Sequence, residues 1–307
     1  MYRGASGSNS TEAIVKKILV NCLSIAALIW GGDSFLRAQD SSAVPTVLGA
    51  FQNASSFSVS PSGTIYVLDR GTNEVLKLSS TGAILARTGG FGWSEFSFSQ
   101  PADLHAPNDI RVYVADYGNH RVEYFDGNLN YLSSLLMHDN PDPDQRFGYP
   151  RSVAMDRYGS LFITDGEDSR IAKIVSAAPN SIDRTFGGVE GGKGSLKFPG
   201  RVRVTSSDVV YVQDSTRIVE YDVYGNYLSA YPVMLAGRWH FAASDSGLFF
   251  VDSCTVQWWR NDQLLERKLP GACNAVDIEN RADSLYILTK ADIRIYPLEL
   301  FRSGPAK

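Results

Sequence analysis

Val112-Tyr113-Val114-Ala115-Asp116-Tyr117-Gly118-Asn119-His120-Arg121-Val122 decides the fold of this 307-residue chain. A short alternating run closes on an Asp, a polar turn follows, and a second alternating run opens at Arg121. That is a strand, a turn and a strand. The same aromatic-x-x-Asp pattern recurs at Tyr66/Asp69, Phe162/Asp165, Tyr211/Asp214 and Phe249/Asp252, and as Tyr286/Thr289. Successive ladder positions lie 47, 49, 49, 38 and 37 residues apart. Such spacing is near the roughly 40–50 residues of one four-stranded propeller blade.

A second mark keeps step with the first. Fifteen residues before Asp116, Asp165 and Asp214 stand Pro101, Pro150 and Pro199; the same count reaches Ala54, Gly237 and Asn274 in the other repeats. Pro is tolerated at the start of a strand, where no ladder donor is needed. Within the units, Pro61-Ser62-Gly63, Tyr158-Gly159 and Asp245-Ser246-Gly247 supply tight turns. Third strands follow at Glu74–Leu78, Arg121–Phe125, Arg170–Ile174, Arg217–Tyr221, Thr255–Trp259 and Asp292–Tyr296. Fourth strands follow in most units, as at Ile84–Arg87 and Tyr227–Tyr231. No stretch from Pro45 to Leu298 has sustained helical periodicity. The reading is all-β: a six-bladed antiparallel β-propeller. The sixth unit lacks a fourth strand, and Thr46–Phe51 lacks a partner, so an N-terminal strand is expected to close the ring and remove an open edge.

The second unit, with Pro101 and Val112–Val122, resembles an NHL repeat. Phe147-Gly148-Tyr149-Pro150, Ile163-Thr164-Asp165 and Ser169-Arg170-Ile171 resemble it more loosely; the fifth and sixth units keep only the strand pattern. The resemblance implies a six-bladed propeller over residues 45–298. NHL-like propellers bind proteins, RNA or small ligands, and some are lyases, so it implies a fold more than an activity.

With 44% apolar and 20% charged residues and a net charge of −4, the chain suits one all-β domain and not a dedicated nucleic-acid binder. Residues 18–30, ILVNCLSIAALIW, are apolar but fall short of the roughly 20 residues a spanning helix needs. Lys16-Lys17 before them and Leu36-Arg37-Ala38-Gln39 after them describe a signal peptide over residues 1–38, cleaved near Ala38 or Gln39. A start at Val15 would remove the long polar extension before it. An uncleaved anchor is the alternative, and the one route to a membrane. The expected location is extracytoplasmic, periplasmic or secreted, in a bacterium. Export leaves Cys254 and Cys273, two residues that an oxidising compartment would join, with separate thiols as the alternative. Residues 299–307 form a tail.

The ladder Asps read as turn-formers that accept amide hydrogen bonds. His105, His120, His138 and His240 share no register, which argues against a three-His zinc site. Asn140-Pro141-Asp142-Pro143-Asp144 spaces oxygens as a calcium loop does, but lacks its Gly and distal Glu. Gly187 to Ser195 nearly spells a phosphate loop, yet Gly194 stands where Ser or Thr is required. No nucleophile elbow occurs. No catalytic residue, metal or cofactor is assigned. Residues just after each Pro-equivalent should face the channel mouth: Ser55, Ala102/Asp103, Arg151, Gly200/Arg201, Arg238/Trp239 and Ala275. Of these, Asp103, Arg151, Arg201, Arg238 and Trp239 form a candidate site for an anionic or planar ligand. Pairing of the arginines with Asp103 is the alternative. The expected function is a non-catalytic scaffold for an unknown protein or a small anionic ligand; the alternative is a metal-dependent lyase or lactonase centred on the channel.

Overall fold

The computed structural model describes residues 44–302, apart from 234, 236, 237, 253, 261, 262 and 270. The signal peptide, its cleavage site, Gly237 and the end of the tail lie outside those residues. The described strands form six four-stranded antiparallel sheets. Blade 1 holds Ala54–Val59, Ile65–Asp69, Glu74–Leu78 and Ile84–Gly89. Blade 2 holds Asp103–His105, Arg111–Asp116, Arg121–Asp126 and Tyr131–Leu136. Blade 3 holds Pro150–Met155, Leu161–Asp165, Arg170–Ile174 and Arg184–Phe186. Blade 4 holds Pro199–Val204, Val209–Asp214, Arg217–Asp222 and Tyr227–Pro232. Blade 5 holds Trp239–Ser244, Gly247–Asp252, Thr255–Arg260 and Gln263–Lys268. Blade 6 takes Ala275–Arg281, Ser284–Thr289 and Ile293–Pro297 from the C-terminal end, and Thr46–Leu48 as its outer strand. The closing strand is antiparallel, with Thr46, Val47 and Leu48 opposite Ile295, Arg294 and Ile293.

Strand alternation explains where the core lies. In Arg111–Asp116, Val112 and Val114 point into the wedge between blades 1 and 2, with Tyr66, Phe98 and Phe125. Tyr113 and Ala115 point the other way, into the wedge between blades 2 and 3, with Phe147, Val153 and Ile163. A strand buried on both faces reads as a continuous apolar run, which is why the ladder strings are so apolar. Each pair of neighbouring blades shares one such wedge, and each fully buried Phe or Leu contributes about 1.5–3 kcal/mol. The wedge between blades 5 and 6 is sealed by the short helix Glu299–Arg302, whose Phe301 packs edge-on to Phe249 and Trp258.

The ladder Asps act as clamps. Asp116 accepts from Ser99 N at 2.8 Å, and Asp165 from Gly148 N at 3.1 Å. Asp214 accepts from Lys197 N at 2.8 Å, and Asp69 from Gln52 N and Asn53 N at 2.7 and 2.8 Å. Each carboxylate therefore ties a turn to the segment entering its own blade. In blades 2 and 3 an Arg five residues on completes the clamp. Arg121 joins Asp116 to the carbonyls of Ser94 and Ser97. Arg170 joins Asp165 to those of Pro143 and Arg146. Arg217 does the same in blade 4, between Asp214 and the Ser195 carbonyl. Cys254 and Cys273 form a disulfide, Cα to Cα 4.0 Å, between the turn of blade 5 and the segment entering blade 6.

Candidate functional site

In blades 1 and 3 to 6 the inner strand starts opposite the ladder Asp or Thr, and in blade 2 one residue further in, opposite Ala115; the mouth on that side is called the upper mouth. One level down, the residues opposite Leu68, Ala115, Thr164, Val251 and Leu288 are Ser56, Asp103, Ser152, His240 and Asp277. A register shift between Pro199 and Val202 puts Arg201 at the same level in blade 4. Each blade thus contributes one polar side chain to a ring. The next level, opposite the ladder aromatics, carries Ser58, His105, Ala154, Arg203, Ala242 and Glu279.

Contacts across the ring identify the axis. Arg201 of blade 4 pairs with Asp277 of blade 6 and stands 3.5 Å from Asp103 of blade 2. Arg203 donates to Asp103 at 3.0 and 3.3 Å. Ser56 Oγ donates to Asp103 at 2.6 Å, and Ser152 Oγ donates to its other oxygen. Asp277 also accepts from Phe57 N at 3.1 Å and Ile278 N at 2.6 Å. Two arginines and two aspartates therefore neutralise one another, and backbone amides or hydroxyls occupy the remaining lone pairs. This is how a buried charge cluster becomes tolerable. The network joins blades 2, 4 and 6 across the ring.

Burial sets the protonation states around it. Burial would raise Asp103, but Arg203, Arg201 and its hydrogen bonds outweigh this and hold it well below the usual carboxylate range. Burial, with Arg203 adding to it, brings the Arg201 guanidinium down to about 9, against the pull of Asp103 and Glu279. His105 falls to about 3 through burial and then Arg203; His240 falls to about 3 through burial, Arg201 and Arg238. Both imidazoles are neutral at pH 7. Glu279, which accepts from Val59 N at 3.0 Å, is pushed up by burial to about 7. Among the described residues no three His, Cys, Asp or Glu side chains group as metal ligands.

The structure sorts the sequence candidates. Asp103 and Arg201 belong to the ring, in the mutual pairing that was the alternative to ligand binding. Arg151 is exposed at the upper mouth, its guanidinium 6.0 Å from the Tyr117 ring centroid. Arg238 is exposed one residue above Trp239. Trp239 does not face the mouth: it is 5% exposed and packs with Phe241 and Phe250. Two local differences account for this. Blades 1, 3 and 4 turn through three residues between Ser60, Asp156 or Thr205 and Thr64, Ser160 or Val209. Blades 5 and 6 turn through two, between Ser244 and Gly247 and between Arg281 and Ser284. Blade 5 also runs without the register shift of blades 1, 3, 4 and 6. A fixed count of fifteen therefore overshoots there. Ser152, His240 and Asp277 hold the places read as Arg151, Trp239 and Ala275. Their signal was the alternation of polar residues along each inner strand.

The other histidines meet where sequence spacing did not bring them. His120 stacks on His138 with ring centroids 4.3 Å apart, beside Tyr149 at 4.1 Å, and His138 Nδ1 stands 3.4 Å from Glu167. Burial and His138 draw His120 below its usual range. In the Asn140–Asp144 segment, Asn140 and Asp142 side chains accept from Asp142 N and Asp144 N, so they brace the loop itself. The Gly187 to Gly191 segment lines a cleft of about 800 Å³ between blades 3 and 4, with Arg146, Phe186 and Tyr227. Among the described residues no helix is long and apolar enough to cross a membrane.

No family model matches the chain, and no curated protein matches it. Solved structures similar to it include a streptogramin B lyase, at 14% identity and a TM-score of 0.57, covering 83% of this chain and 86% of that one. Virginiamycin B lyase from Staphylococcus aureus is similar at 12% identity and a TM-score of 0.55, covering 80% and 95%. A catalytically inactive histidine-to-alanine variant of that enzyme, with quinupristin, is similar at 16% identity, a TM-score of 0.55, and 83% and 87% coverage. At these identities the likeness establishes the six-bladed propeller.

Proposed function

We propose that this is an exported NHL-like β-propeller that binds an anionic group, on a protein or a small molecule, at its upper mouth without catalysis. The contrast among its arginines carries the reading. Arg201 and Arg203 are neutralised by Asp103 and Asp277. Among the described residues no carboxylate pairs with exposed Arg151 or Arg238. An anion at either guanidinium gains charge-assisted hydrogen bonds without breaking an existing pair. The disulfide supports export. The test is a thermal-shift comparison of wild type with Arg151→Ala/Arg238→Ala against phosphate, sulfate, citrate and acidic dipeptides. Wild type should gain stability from at least one anion, and the variant should lose that gain. Equal responses across the panel overturn the proposal.

A channel-centred lyase is the second reading, supported by the likeness to virginiamycin B lyases. Burial pushes Glu279 up to about 7, which suits proton transfer near neutral pH, and neutral His240 would act there as a hydrogen-bonding group. Incubation with quinupristin and Mg²⁺, followed by chromatography, tests it. Turnover abolished by His240→Ala would favour the enzyme; no turnover would leave the scaffold reading.

A further inference from the structure

We propose that the cleft between blades 4 and 5 binds a small organic ammonium group. The cleft has a volume of about 230 Å³ and is lined by Tyr211, Glu220, Tyr231, Asp245, Leu248, Trp259 and Arg260, with Ser246 and Gly247. That is below the roughly 300–1,000 Å³ of drug-sized sites and suits a head group. Among the described residues, five buried apolar side chains meet in the wedge beside the cleft: Ile218, Trp239, Phe241, Leu248 and Phe250.

The lining has the chemistry of a cation site. Tyr231 and Trp259 meet edge to face, with ring centroids 4.6 Å apart and planes at 79°. Tyr211 stands opposite Glu220 across the strand pair. Tyr231 Oη donates to Glu220 Oε2 at 2.9 Å, which aims the carboxylate. Among the described residues no Lys or Arg pairs with that carboxylate. Burial therefore lifts Glu220 above the usual range, against the hydrogen bonds of Tyr231 and Tyr211. An ammonium in the cleft would supply the missing counter-charge and lie against aromatic faces, whose quadrupoles attract it.

A neighbouring wedge shows the same arrangement with the cation supplied by the chain. Phe162 of blade 3 stands opposite Lys173, as Tyr211 stands opposite Glu220. Lys173 Nζ donates to the Val223 carbonyl at 2.7 Å and lies 5.5 and 5.6 Å from the Phe162 and Tyr224 centroids. Blade 4 replaces that Lys with Glu220, keeps aromatic walls and leaves an open cleft. Asp245 adds a second carboxylate at the rim, held by Ser206 and Ser207. Arg260 is the one basic group in the lining, and its guanidinium lies 5.5 Å from the Trp258 centroid.

The test is calorimetric titration of the purified protein with choline, n-butylammonium and the neutral choline isostere 3,3-dimethylbutan-1-ol. Choline and n-butylammonium should bind saturably, and the alcohol about tenfold more weakly or not at all, the size of one desolvated cation–aromatic contact. Glu220→Gln, checked for an unchanged melting temperature, should weaken choline about tenfold and leave the alcohol unaffected. Exposed Arg260→Gln should tighten choline, a gain that a misfolded cleft would not give. Absence of choline binding, equal affinity for choline and the alcohol, or choline affinity unchanged in both variants overturns the proposal. None of these readouts depends on the upper mouth.

Discussion

Blades 2 to 4 and the pair formed by blades 5 and 6 fasten the turn after the second strand by different chemistry. In blades 2 to 4 a buried Asp and a following Arg hold the turn to the segment entering the same blade. In blade 5 Thr255 begins the third strand, where blades 2 to 4 begin with Arg121, Arg170 and Arg217. Its turn is joined instead by Cys254–Cys273 to the segment entering the next blade. The polar clamp orders one blade; the covalent one couples two. The difference teaches that an aromatic-x-x-Asp repeat marks where a blade must be tied, while the residues after it decide how.

The largest effect should come from breaking a polar clamp. Asp165→Ala leaves the Arg170 guanidinium, whose side chain is 12% exposed, without its buried carboxylate and strips the Gly148 and Glu167 amides of their acceptor. A loss of about 3–5 kcal/mol is expected in denaturant unfolding. A smaller loss would mean that Asp168, 3.0 Å from Arg170, and the arginine's carbonyl contacts hold the turn without Asp165. Next, Cys254→Ser/Cys273→Ser should cost about 2–4 kcal/mol. In hydrogen exchange the loosening should concentrate in blades 5 and 6. Uniform loosening around the ring would show that the disulfide does not act locally.

The smallest effect tests the acid beside one clamp. Glu123 lies 2.9 Å from Arg121 and is fully buried. Burial pushes it up to about 8, with Arg121 pulling down and Asp116 pushing up. A carboxyl raised on folding contributes most stability below its unfolded value of about 4.3 and loses that contribution as pH rises through its folded value. The melting temperature of wild type should therefore fall between pH 5 and 9 more than that of Glu123→Gln. Parallel curves would show that Arg121 keeps Glu123 ionised throughout.

Much of the fold was legible because it is local. Each ladder string carries its own strand, turn and strand, and the orphan Thr46–Phe51 run pointed to the closing strand. The ring was less legible. Ser152 and His240 are ordinary residues until the register shifts and the two-residue turn after Ser244 fix which side chains face the axis. The Glu220 cleft was not legible at all. Tyr211 and Trp259 come together only when blades 4 and 5 pack, and the ladder had already given Tyr211 a structural role.

The ring is shut by three residue pairs, Thr46–Leu48 against Ile293–Ile295, where the rest of the molecule uses continuous hairpins. Both ends of the propeller chain consequently lie in one sheet. A pull on the segment preceding Thr46 reaches that short ladder before any other, and its release would open the circle at blade 6 while blades 1 to 5 keep all four strands. The same adjacency makes the molecule a candidate for circular permutation: a linker to Thr46 from the end of the helix Glu299–Arg302, which keeps Phe301 in its wedge, and new ends in a surface loop would move the mechanical weak point without changing a single strand pairing.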